Sequence, residues 1–163
     1  MSSVYVETSI VSYLAARPSR DLIVAAHQQI THDWWATSRQ RYELFVSEAV
    51  LEEIRRGDPE AAQRRLELVD KLPLLALDDE AEQLTLTYSR ELGIPQTASV
   101  DILHIAVAVA HRMDFLLTWN CAHIANGEVV RRLRSLNEAL SRPTPIIVTP
   151  EELVQIPDGG HEE

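Results

Sequence analysis

The chain has 163 residues, 45% of them hydrophobic and 25% charged, a balance that suits one globular domain able to bury its own core. Its net charge of −10 argues against broad nonspecific nucleic-acid binding through a basic surface, and no apolar stretch approaches the roughly 18 residues of a membrane span. The single Cys121 excludes an internal disulfide and points to a reducing compartment; with no basic, apolar leader, the chain reads as cytoplasmic.

Val4-Tyr5-Val6 is the first expected strand, three strand-forming residues that run into the carboxylate of Glu7 and the hydroxyls of Thr8 and Ser9. A helix follows from Ser9 to about Ala16 and is closed by Arg17-Pro18. A long helix is expected from Asp21 to about Arg41, with one line through Ile23, Ile30 and Trp34 and a second through Val24, Thr31 and Trp35. Leu44-Phe45-Val46 reads as a strand, and Ser47 suits the cap of a helix that runs to about Arg56 and stops at Gly57. Asp58-Pro59 joins an N-cap residue to proline at the first helical position, opening a helix to about Lys71.

Leu74 to Leu77 is a third short strand, and Asp78 caps a helix from Asp79 to Leu92 that Gly93 and Pro95 stop. Ser99 is the expected cap of a very apolar helix through Ile102, Ile105, Val109 and Met113, suited to burial against a sheet. Phe115 to Thr118 is the fourth strand, a loop from Trp119 to Gly127 leads to a basic helix from Glu128 to Leu140, and Pro145 to Val148 is the fifth strand. Thr149-Pro150-Glu151-Glu152 matches a capping box for one last short helix. A single domain over residues 1–156 is then followed by a loose tail at 157–163. Short apolar strands separated by helices imply an α/β fold with a largely parallel sheet.

In such sheets functional groups gather at the carboxyl ends of the strands. Glu7 ends the first strand, and Trp119-Asn120 follows the fourth. Asp101 lies in the first turn of the helix that leads to the fourth strand, and Glu48, Glu52 and Glu53 lie on the helix after the second. Carboxylates placed together repel one another and need a cation or protons to coexist. Hard divalent ions such as Mg²⁺ and Mn²⁺ take oxygen ligands and promote phosphodiester hydrolysis. Each residue also has a purely structural use: Glu7 as an N-cap, Asp101 beside a helix dipole, Glu52 and Glu53 paired with Arg55 or Arg56, Asn120 in a turn. Glu53 starts about 9 Å down its helix from Ser47, at roughly 1.5 Å per residue, so it must reach back or its helix must tilt.

Taken together, Glu7-Thr8-Ser9, Leu51-Glu52-Glu53-Ile54 with Gly57, Asp101-Ile102-Leu103-His104-Ile105-Ala106 and Leu117-Thr118-Trp119-Asn120 resemble the PIN-domain nucleases. They look most like the VapC-type ribonuclease toxins of bacterial toxin–antitoxin modules. The resemblance runs from about Val4 to Val148, and the order and spacing of short motifs carry it. It implies a three-layer α/β/α fold with a five-stranded, mainly parallel sheet, and cleavage of single-stranded or structured RNA with Mg²⁺ or Mn²⁺. It also implies a homodimer and a small cognate antitoxin.

Residue by residue, the family's first acid, normally Asp, falls on Glu7; its Glu falls on Glu53, with Glu52 as the fallback; its third acid falls on Asp101. Its fourth acid, also normally Asp, falls on Asn120. Thr8 or Ser9 matches the hydroxyl that supports the first acid, and His104, His123 and Asn126 are further candidates to line the site. Glu in place of Asp at 7 moves the ligand point, and Asn120 removes a charge. An alternative reading is therefore a catalytically weak or inactive PIN-like module that binds RNA or protein. A haloacid-dehalogenase phosphatase needs two Asp separated by one residue after the first strand, which Glu7-Thr8-Ser9 lacks, and no Gly-rich nucleotide loop occurs. Of the adjacent Trp34 and Trp35, one is expected in the core and the other at a dimer or antitoxin surface.

Overall fold

The computed structural model describes residues 1–154; the expected domain boundary at 156 and tail at 157–163 lie outside the described residues. Its centre is β1 (Ser2–Val6). Val4, Tyr5 and Val6 are wholly buried, as a parallel strand covered on both faces requires. β1 pairs in parallel with β2 (Tyr42–Ser47) on one side and β4 (Phe115–Leu117) on the other. β3 (Leu74–Leu75) extends the sheet beyond β2, and β5 (Ile146–Val148) extends it beyond β4. The spatial order is β3-β2-β1-β4-β5, all parallel, the α/β architecture with a five-stranded sheet flanked by helices that the sequence implies. The chain builds outward from β1 through β2 to β3, then returns to lay β4 against the free side of β1. The strand order reverses between β1 and β4, and in an open parallel sheet a crevice forms at the carboxyl ends of strands at such a point.

Helices α1 (Thr8–Ala15), α2 (Leu22–Thr37), α3 (Glu48–Ile54) and α4 (Pro59–Val69) connect the first three strands. Helices α5 (Asp79–Glu91) and α6 (Ser99–Ala110) make the return crossover, and α7 (Gly127–Ala139) joins β4 to β5. The caps follow from side-chain chemistry: Asp21, Asp58 and Asp78 accept from the N–H of Val24, Ala61 and Ala81, each satisfying one free donor of a first turn. Helix α6 is buried without a break from His104 to Ala110, and it packs chiefly on α5. No helix among the described residues is long and apolar enough to cross a membrane.

Several local expectations are corrected. Helix α2 ends at Thr37, and Arg39–Arg41 form a 3-10 turn; the chain must turn there because Tyr42, opening β2, stacks on Trp34 at 6.0 Å. Ser47 makes no capping bond, since its hydroxyl turns inward to Tyr5. Helix α6 is entered through a 3-10 turn, Gln96–Ala98, with Ala98 and not Ser99 at its N-cap. The last expected helix is a single turn: Glu152 accepts from the N–H and hydroxyl of Thr149 as a capping box would, but Leu153 O is bonded to the Trp34 indole N–H, which anchors the chain at α2.

Candidate active site

Glu7 sits where the sheet order reverses. Its backbone N–H donates to Leu117 O at 3.1 Å, carrying the β1–β4 pairing one residue past the strand. Its buried carboxylate accepts from Ser9 N–H at 2.8 Å, from Ser9 Oγ at 2.6 Å and from Thr118 Oγ1 at 2.5 Å. The first of these bonds makes Glu7 the N-cap of α1. Both hydroxyls are bonded to Oε1, whereas Oε2 takes one backbone N–H. Ser9 and Thr118 are themselves held, because Ser9 Oγ accepts from Trp119 N–H at 2.8 Å and Thr118 Oγ1 from Asn120 N–H at 2.9 Å.

Glu53 lies in the last turn of α3, and other elements come to meet it there. Thr8 Oγ1 donates to Glu53 Oε1 at 2.6 Å, and His104 Nε2 lies 2.5 Å from the same oxygen. The His104 ring is wholly buried, with Nδ1 bonded to Tyr5 OH at 2.7 Å, and Tyr5 OH bonded to Ser47 Oγ at 2.7 Å. Burial pushes the Glu53 carboxyl upward, but the hydrogen bond and charge of His104, the Thr8 hydroxyl and the charge of Arg56 together outweigh it and hold the group below the usual carboxylate value. Burial likewise drives the Tyr5 hydroxyl far above its ordinary value, so it stays protonated. Glu52, one residue earlier, is exposed.

Glu7, Glu53 and His104 thus converge: one donor atom from each lies within 4.8 Å of the other two. No other three His, Cys, Asp or Glu side chains meet so closely among the described residues. Two carboxylates and an imidazole, on three elements around one sheet edge, fit a divalent cation.

No protein-family model matches the sequence, and no curated protein matches it. Solved structures do match in fold. VapBC2 from Rickettsia felis, bound to a DNA fragment from its promoter, aligns with a TM-score of 0.58 and 16% identity over 90% of this chain and 98% of that one. VapC20 from Mycobacterium tuberculosis, a toxin that cleaves the sarcin–ricin loop, aligns with a TM-score of 0.57 and 17% identity over 73% of this chain and 91% of that one. VapBC-1 from nontypeable Haemophilus influenzae gives a TM-score of 0.56 and 13% identity over 92% and 99%. The chain has the PIN-domain fold.

The remaining candidates from the sequence form a second group on the same rim. Asp101 is three residues before His104 on α6, and its Oδ2 lies 2.9 Å from His123 Nδ1. Asn120 Oδ1 accepts from His123 N–H at 3.0 Å, and Asn120 O accepts from Ala125 N–H at 2.8 Å, so this residue shapes the turn that carries His123. Asn126 is the N-cap of α7, accepting from Glu128 and Val129 N–H. The rim is anchored to α2 by Trp119, whose ring stacks on His27 at 4.1 Å and whose Nε1 donates to Thr31 Oγ1 at 2.7 Å.

Tyr5 and Ser47, which extend the buried row from His104, are not among the residues the sequence singles out. The signal was present for Tyr5: it lies two residues before Glu7, and strand periodicity sends alternate residues to one face. For Ser47 it was masked by a capping role that looked sufficient.

Proposed function

We propose that this PIN domain is a metal-dependent endoribonuclease that hydrolyses RNA phosphodiester bonds, and that it is the toxin of a type II toxin–antitoxin module. The observation that carries the reading is the convergence of Glu7 and Glu53 beside His104 at the carboxyl edge of a VapC-like sheet. Glu7 and Glu53 would hold Mg²⁺ or Mn²⁺, with Asp101 and Asn120 on the same rim. When bound, such a cation lowers the pKa of water and offsets charge on the phosphodiester. The chain's own groups do the positioning. Ser9 and Thr118 fix Glu7; Thr8 and His104 fix Glu53 Oε1, and Oε2 has no protein partner among the described residues. Asp101 holds one nitrogen of His123, which leaves the other to meet a phosphate oxygen. Arg56, whose charge acts on Glu53, brings a local cation to an otherwise acidic chain, and arginine suits phosphate contacts.

The partners follow the same reading: an RNA substrate, a cognate antitoxin, a second copy of the chain, and the cytoplasm as the setting. Because one neighbour cleaves the sarcin–ricin loop, a structured RNA hairpin is the first substrate to try. With Mn²⁺, the purified chain should yield discrete fragments that disappear with chelator and with Glu53→Gln. Intact RNA under every metal condition, from protein shown to be folded, overturns the reading.

Two observations favour the second reading, a PIN-like module with weak or no catalysis. The Glu7 carboxylate is engaged by three donors, and Asn120 brings no charge. Calorimetric titration with Mn²⁺ separates the two, since saturable binding that Glu53→Gln removes supports the nuclease and its absence supports the module.

A further inference from the structure

We propose that His104 Nε2 is itself a ligand of the cation site, which makes the site favour Mn²⁺ and later transition ions over Mg²⁺. The inference rests on the metal-dependent reading above and adds to it an identity for the third ligand.

His104 has no solvent exposure, yet Nε2 faces the polar edge of the sheet. It lies 2.5 Å from Glu53 Oε1 and 3.5 Å from Thr8 Oγ1, within the same cluster as a Glu7 oxygen. A buried histidine needs only a partner for each nitrogen, and Tyr5 and Glu53 supply these. A second carboxylate, the nearly buried Glu7, places an oxygen within 4.8 Å of a nitrogen of the same ring. Two carboxylates and an imidazole nitrogen at one point are a metal-binding donor set, and without a cation the carboxylates repel.

The far side of the ring is built as a ligating histidine requires. Such a residue almost always passes its other N–H to a fixed acceptor, which sets the tautomer. Here Nδ1 meets Tyr5 OH, and Tyr5 OH meets Ser47 Oγ, both at 2.7 Å and both buried. A hydroxyl both donates and accepts, so the row runs in either direction. Without a cation, Nε2–H donates to Glu53 Oε1. With one, Nδ1–H donates to Tyr5, Tyr5 donates to Ser47, and the Nε2 lone pair is free. Nδ1 keeps its Tyr5 partner with or without the cation. Selectivity follows from ligand chemistry: Mg²⁺ is served by oxygen and water, whereas imidazole gains affinity from Mn²⁺ onward through the first-row series.

The test titrates Mn²⁺ into the whole chain and reads the bound ion by pulsed electron paramagnetic resonance, in which a directly coordinated imidazole imprints nitrogen modulation. Wild type and His123→Ala should both bind Mn²⁺ with that modulation. His104→Gln should lose it, with Mn²⁺ affinity reduced about tenfold or more and Mg²⁺ affinity changed less. Should His104→Gln fail to fold, wild type and His123→Ala labelled with ¹⁵N-histidine decide the matter: coupling that follows the isotope and persists without His123 supports the proposal. Saturable Mn²⁺ binding without nitrogen coupling, or coupling that survives in His104→Gln, overturns the ligand assignment and leaves the nuclease reading standing. No saturable Mn²⁺ binding by wild type overturns both.

Discussion

Glu7 and Glu53 show how the same residue type is used differently a few ångströms apart. Glu7 doubles back on Ser9 as a helix cap while holding Thr118, so one carboxylate both caps α1 and ties it to the end of β4. Ser9→Ala removes a donor to Glu7 and the acceptor of Trp119 N–H; a loss of about 1–3 kcal/mol is expected, measured by urea unfolding. Glu53 gives a pH prediction. Its carboxyl is held below the ordinary value of 4.5, so the folded state binds its proton less tightly than the unfolded chain does. The stability this adds is present above that ordinary value and is lost as pH falls through the lower folded one. In chelator, the urea midpoints of wild type and Glu53→Gln should therefore converge from neutral pH into acid; a constant gap would count against the assignment. The sequence left Glu52 and Glu53 open as alternatives. The two differ by one residue of helix, about 100° of rotation at 3.6 residues per turn, and only the placement of α6 and α1 shows which side chain they meet.

At the scale of elements, the local signals were reliable where they were chemical and weak where a neighbour intervened. Asp-initiated helices begin where their caps predict, and Gly57 and Gly93, both at positive φ, follow helix ends as glycine should. Helix α2 stops short of its predicted bound because nothing in its sequence shows that Tyr42 must stack on Trp34. The bond between helices α5 and α7 was equally invisible: Tyr88 OH donates to Asn137 Oδ1, and Asn137 Nδ2 donates to Thr144 Oγ1 at 2.9 Å. Tyr88→Phe leaves a buried acceptor unpaired and should cost about 1–3 kcal/mol. Burial, set against the Asn137 bond and Arg142, pushes the Tyr88 hydroxyl up to about 12. A group raised on folding contributes stability that is full below its unfolded value and is lost as pH rises through the folded one. The gap between wild type and Tyr88→Phe should therefore narrow in alkali above pH 10, the ordinary tyrosine value; thermal melts across that range check it.

At the scale of the whole molecule, the last described residues are tied back to α2. Leu153 is buried, and its carbonyl accepts from Trp34 Nε1 at 2.8 Å. Truncation after Val148 removes that side chain and bond; a loss of about 2–5 kcal/mol is expected, as for deleting a buried leucine, with tryptophan emission shifted to the red. Trp34 is the core member of the tryptophan pair, whereas Trp35 is half-buried under Arg39, whose guanidinium lies 5.0 Å from its ring. If the proposed homodimer uses this face, Trp35→Ala moves the light-scattering mass toward monomer, and an unchanged dimer places the interface elsewhere.

The sequence by itself determined the α/β class, the parallel strands and the rim at which polar residues gather, because burial periodicity, caps and breakers are local and survive without neighbours. It also named Glu7, Glu53, Asp101 and His104 as candidates for that rim. Only the tertiary structure decided their partners. Glu53 and His104 are 51 residues apart in sequence and share a bond; Tyr5 and His104 are 99 apart; Asp101 turns to His123. Such pairings depend on how a tilted helix meets a sheet edge, a distance of a few ångströms that no spacing along the chain encodes.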